Sequence, residues 1–142
     1  MKAAFIYNFT LFTEWPELPD NTLRICTLRD EQIKGELEKY TIKQPHAAKL
    51  IITKVNNSRD IKYCQVVFLS EEDLPQAPAV FSEAKGTSLL IVTDVYDLID
   101  KGAMIAIKIE NQRMLFEINL EAVKRSKLHL SSKLLALAKR IH

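Results

Sequence analysis

The sequence predicts a single α/β domain over residues 1–142. It should have three layers, α/β/α, around a mixed, mostly parallel sheet of about six strands. Three observations point there. Short apolar runs at 23–28, 64–70 and 88–94 alternate with helix-periodic stretches, the pattern that lays helices on both faces of a parallel sheet. The run CQVVFLS, 64–70, is nearly continuous apolar, as a central strand covered on both faces requires. Residues 104–118 instead alternate twice about a polar turn, which reads as a C-terminal antiparallel hairpin followed by helices.

Taken in order, Lys2 to Phe12 reads as a helix, with Phe5, Phe9 and Phe12 on one stripe and Trp15-Pro16 stopping it. The stripe has two readings, a face packed into the core or a surface that docks a partner or a second copy. Leu23–Leu28 is a short strand. Asp30 can cap a helix from Glu31 to about Tyr40, since its side chain can accept an orphan N–H of the first turn. Lys49–Val55 is the second strand, Cys64–Ser70 the third and Ser88–Asp94 the fourth. A proline-punctuated helical stretch, Leu74–Ala84, lies between the third and fourth, and Tyr96–Ile99 forms a short helix ending near Gly102. Ile105, Ile107 and Ile109 share one face of the fifth strand; Met114, Phe116 and Ile118 share one face of the sixth. The turn between these strands carries Asn111, which tolerates positive φ, and Gln112, which tolerates it less, so a wide turn is expected. Asn119 can cap a helix at Leu120. Ser131 can cap a last one, whose stripe is Leu134, Leu135, Ala138 and Ile141. Right-handed crossovers join the parallel strands, and the expected strand order is 2-1-3-4-5-6.

Composition excludes more than it assigns. The 142 residues carry a formal charge of +2, too little to argue for nucleic acid, and are 47% hydrophobic, ordinary for a globular domain. No run of 18 apolar residues exists, so no membrane span is expected. His46, His129 and His142 are scattered without ligand spacing, so no metal is expected, and His129 reads as a hydrogen-bonded structural histidine. Ser131-Ser132-Lys133 lacks the spacing of serine–lysine enzymes, and no nucleophile elbow, phosphate loop or dinucleotide fingerprint occurs. Asp94 and Asp97 follow the fourth strand, where α/β folds often place sites, but no acidic pair follows the first. No catalytic residue and no cofactor are assigned. Arg113, Lys124, Arg125 and His129 make the last third locally basic. That reads as solvated surface or, in a ligand-sensing domain, as contacts for an anionic or aromatic metabolite. A pocket at the strand C-termini lined by Arg or Lys would favour the latter. Cys26 and Cys64, 38 positions apart in neighbouring strands, read either as a bridge or as two buried thiols.

Three stretches carry a family resemblance. The opening KAAFIYNF..FTEWP, the placement of Cys26 and Cys64, and the closing GAMI…EN.R..FEINL.A…L.LSSKLL.LA together resemble the YfiR family of periplasmic regulatory proteins, from about Lys2 to Ile141. The resemblance implies a Cys26–Cys64 disulfide, a periplasmic location and a leader removed from the chain. It also implies a non-catalytic role: binding the periplasmic sensory part of an inner-membrane diguanylate cyclase and repressing it. Relatives are often dimeric, so a homodimer is expected. A second cysteine pair of the family is missing here, and any redox switch that needs two bridges is not carried over. Exposed apolar surface at Phe5, Phe9, Phe12 and Phe116 is the expected contact with the partner.

Overall fold

The computed structural model describes residues 2–142. Helix α1, Lys2–Leu11, leads into a two-residue strand β1, Thr13–Glu14, and then β2, Thr22–Thr27. Helix α2, Glu31–Thr41, begins where the Asp30 carboxylate accepts the Ile33 N–H at 3.0 Å. The chain continues through β3, Lys49–Lys54, and β4, Val66–Leu69, to α3, Ala77–Ala84, and β5, Leu90–Thr93. A 3-10 turn, Tyr96–Asp100, precedes β6, Ile105–Glu110, and β7, Arg113–Ile118. Helix α4, Leu120–Arg125, β8, His129–Leu130, α5, Ser132–Leu137, and β9, Arg140–Ile141, complete it.

The main sheet runs β3-β2-β4-β5-β6-β7-β9, parallel from β3 to β6, with β7 antiparallel to β6 and β9 parallel to β7. The first six strands follow the expected order. The sheet has seven strands rather than six because the chain leaves α5 early. Ala138 is extended (φ −67, ψ 138), and Arg140 and Ile141 pair with Glu117 and Ile118 instead of extending the helix. A second small sheet pairs β1 with β8, where the sequence offered only the end of one helix and the gap between two others.

Two apolar cores, one per sheet face, make the three layers. One packs α1, α2, α4 and α5 through Ile6, Phe9, Leu37, Val123 and Leu134 onto Leu23, Phe68 and Val92. The other packs α3, the 3-10 turn Tyr96–Asp100 and another 3-10 turn, Ser58–Tyr63, onto Cys26, Val67 and Ile91. Strand alternation divides the residues between them, since neighbours in a strand point to opposite faces. Each buried Leu, Ile or Phe contributes about 1.5–3 kcal/mol relative to exposure, so both faces hold the sheet.

Candidate partner-binding surface

The hairpin is the most distinctive surface element. Its register sets Ile105 opposite Ile118, Ile107 opposite Phe116 and Ile109 opposite Met114, so six apolar side chains share one face. Helix α1 covers the inner part of that face. Phe116 meets Phe9 edge-on at 5.1 Å and Phe5 at 6.2 Å, and Phe5 meets Phe9 at 6.1 Å. Edge-to-face packing of this kind suits the ring quadrupoles and seals the helix to the sheet.

That arrangement corrects the expected contact. Phe9 (2% exposed) and Phe116 (7%) are core residues, and Phe5 and Phe12 are partly buried against the same core. The aromatic stripe fastens α1 to the sheet, and its two central rings are unavailable to a partner in this state. The apolar face runs on past α1, however. Ile109 is 64% exposed, and Met114 opposite it is half-buried. The hairpin therefore ends in an uncovered apolar tip.

Its turn is tight, not wide. Glu110 pairs directly with Arg113, leaving a two-residue loop with Asn111 at φ 51 and Gln112 at φ 64. Both central residues are left-handed, the arrangement whose twist matches that of the flanking strands. The demand of the hairpin overrides the discomfort of Gln112.

The opposite face of the hairpin is charged. Glu110 accepts from Lys139 and lies 3.7 Å from Lys108, whose ammonium sits 4.7 Å from the Tyr96 ring centre. Further along β7, the buried Glu117 carboxylate lies 2.7 Å from His142 Nε2, with the Tyr96 hydroxyl beside it. Burial pushes the Glu117 carboxyl up. The hydrogen bonds from His142 and Tyr96, with the positive charges of His142 and Lys108, outweigh burial and hold it below the usual carboxylate range. Tyr96 is pushed up in turn, first by its bond to Glu117. The cluster binds β9 and the 3-10 turn to β7. Sequence reading missed it because its members lie far apart in the chain, and no local pattern marks Glu117 except its inward place between Phe116 and Ile118.

The four basic residues do not converge. Arg113 stands at the hairpin turn, and Lys124 and Arg125 lie on α4 beyond the other end of β7, about 16 Å away at the rise of a strand. Arg125 pairs with Glu121 at 3.0 Å. His129, expected as a hydrogen-bonded structural histidine, is exposed in β8, opposite Glu14. The strand C-termini also differ from the ligand-pocket expectation. A cleft of about 590 Å³ there is lined by Asp30, Glu31, Glu71, Glu72 and Asp94 with Arg29 as its cation, so its charge opposes an anionic metabolite. Lys2 reaches Asp94 at 2.7 Å, and that hydrogen bond, against the effect of burial, raises the Lys2 ammonium. Asp30 is engaged as the α2 cap. Among the described residues no group of three His, Cys, Asp or Glu is placed to hold a metal ion.

The cysteines are joined. Cys26 of β2 and Cys64, two residues ahead of β4, form a disulfide with Cα atoms 6.1 Å apart. Several other motif residues prove to be joints. The Trp15 indole donates to the Gln65 carbonyl at 3.1 Å. Asn119 caps α4 through Ala122 N–H and donates to the Ile99 carbonyl at 2.9 Å. Ser131 caps α5 through Leu134 N–H.

These features define a disulfide-stapled α/β domain that presents an apolar hairpin tip. The chain belongs to the YfiR/HmsC-like family, whose profile matches residues 1–139. No curated protein matches the chain. Two solved structures share the fold at 11% identity each, over 99% of this chain. One is an ABC domain in complex with L-Trp from Streptococcus pneumonia (TM-score 0.63), the other a conserved domain protein from Vibrio cholerae O1 biovar El Tor (TM-score 0.66). The chain spans 59% and 60% of their lengths.

Proposed function

We propose that this protein is a non-catalytic periplasmic regulator. It binds the periplasmic sensory part of an inner-membrane diguanylate cyclase, holds the enzyme inactive and lowers cyclic-di-GMP output. Membership of the YfiR/HmsC-like family carries the reading. The Cys26–Cys64 bridge supports it, because such bonds persist in oxidising compartments. No described helix is long and apolar enough to cross a membrane. Repression requires tighter binding to the inactive cyclase than to the active one; moving a population from 1:99 to 99:1 needs about 10⁴-fold discrimination, about 5.5 kcal/mol. The hairpin tip, Ile109 and Met114, with Phe5 at the edge of the α1 cover, supplies the apolar contact. The protein acts as a homodimer in the same proposal, which light scattering over a concentration series reads directly.

The decisive experiment uses the disulfide-intact protein as bait on detergent-solubilised membranes, together with cyclic-di-GMP measured in cells that express it in the periplasm. A retained diguanylate cyclase and a fall in cyclic-di-GMP are expected. Retention of no cyclase, with unchanged cyclic-di-GMP, would overturn the proposal.

A further inference from the structure

At the amino ends of β5 and β6, opposite the acidic cleft, the chain leaves a hollow between α3 and α4. Helix α3 stops at Ala84, where the Thr87 N–H and hydroxyl both donate to the Ala84 carbonyl, at 3.0 and 2.6 Å. Facing this turn, Gly102 at φ +135 leads towards β6, and a Cβ there would lie 3.1 Å from the Phe81 ring, so the glycine lets that ring lie close. Small residues at the walls, Ala84, Gly86, Gly102 and Ala122, leave a cavity of about 420 Å³ against Ile91 and Met104. On the other side of Phe81 lies a second hollow of about 430 Å³, against Ala77 and Leu98. The two share Phe81, Lys85 and Lys101, and their size and apolar lining are those of small-molecule sites.

Their charge is one-sided. Lys85, Lys101 and Arg125 line the first hollow, and no carboxylate lines either. Lys85 and Lys101 make no ion pair among the described residues. Among the described residues Arg125 pairs only with Glu121, in an exposed pair that a competing anion can replace at little cost. A cation near a helix C-terminus offsets the terminal carbonyls, which accounts for Lys85 after α3 and Arg125 at the end of α4 taken singly. Lys101 stands in the same position after the 3-10 turn Tyr96–Asp100, but none of this accounts for the open apolar volume that all three cations border. A carboxylate among the three cations would relieve their mutual repulsion, while an apolar body would cover Phe81, Ile91 and Met104.

We propose that the cleft between α3 and α4 binds a small organic carboxylate, its anionic head among Lys85, Lys101 and Arg125 and its apolar body against Phe81. The site is independent of the hairpin tip and of the cyclase reading. The test titrates the disulfide-intact protein with octanoate, octan-1-ol, octylamine and inorganic phosphate, followed by amide chemical shifts and calorimetry. Octanoate should shift the Ile91, Gly102 and Met104 amides saturably, and octanol and phosphate should each bind roughly tenfold or more weaker, having lost the charged contacts or the apolar ones. The double variant Lys85→Glu/Lys101→Glu should lose octanoate by a similar factor and favour octylamine; Lys85→Gln/Lys101→Gln gives the same loss by neutralisation should charge reversal disturb folding. The proposal is overturned if octanoate produces no saturable shift, if phosphate matches octanoate, or if the double variants bind octanoate with unchanged affinity.

Discussion

His142 Nε2 lies 2.7 Å from the Glu117 carboxylate, and Glu117 is 3% exposed. The contact crosses from the segment after α5 to β7 and accompanies the main-chain bonds of β9. Its linkage to pH has a definite sign. A carboxyl whose folded pKa is depressed contributes stability above its unfolded value, about 4.3, and loses that contribution as pH falls through the folded pKa. Glu117→Gln should therefore cost about 1–3 kcal/mol at neutral pH, where it leaves charge-assisted bonds unmade. As pH falls from about 4.3 through the lower folded pKa, the variant and the parent should converge. Urea midpoints at neutral and acid pH read this, and parallel pH profiles would contradict it.

Reduction should weaken the fold globally. The Cys26–Cys64 bond closes a loop of about 39 residues, worth about 4 kcal/mol in the chain-entropy account. That loop contains α2 and the edge strand β3, so loosening it releases one side of the sheet. Cys26→Ala/Cys64→Ala should lower the urea midpoint by a similar margin in oxidising and reducing buffer alike, while the parent falls only when reduced. A thiol count on denatured, unreduced protein should find none; two titratable thiols would remove the bridge.

Much of this architecture was legible because it repeats. Long alternations and apolar runs located six strands, since each strand buries one or both faces and carries that burial in its sequence; handedness of the crossovers alone does not select their order. The two-residue strands β1, β8 and β9 left no such trace. Arg140-Ile141 lacks room for a period, and Ile141 fell on the apolar stripe of the expected last helix, so only the competing hydrogen bonds of β7 decide its conformation. Side-chain roles divided the same way. Asp30, Asn119 and Ser131 were readable as caps because capping is local, three residues from donor to acceptor. The Glu117, Tyr96 and His142 cluster and the cations around Phe81 assemble only through the fold. For the aromatic stripe, periodicity gave the face but not its occupant: Phe9 could meet a partner or the chain's own hairpin, and Phe116 occupies it.

Two pairs of substitutions separate the core from the proposed docking tip. Phe9→Ala and Phe116→Ala should each cost about 3–5 kcal/mol, the usual range for a buried ring left as a cavity. Ile109→Glu and Met114→Glu, at the uncovered end of the same face, should leave the thermal midpoint nearly unchanged and weaken capture of the cyclase in the membrane pull-down. Stable Ile109→Glu and Met114→Glu proteins that still capture it fully would move the contact off the hairpin.

Gln112 offers a stabilising change. Its left-handed conformation, φ 64, is imposed by the two-residue loop between Glu110 and Arg113, and a side chain there costs about 1–2 kcal/mol relative to ordinary backbone. Glycine removes that cost but adds freedom to the unfolded chain, which takes back part of the gain. Gln112→Gly should therefore stabilise by about 0.5–1 kcal/mol, a rise of about 2–4 °C in Tm at most for a chain of this size. Asn111→Gly should give less, because the Asn side chain already tolerates positive φ. A Gln112→Gly protein no more stable than its parent would mean the loop is wider in solution than the register of β6 and β7 requires.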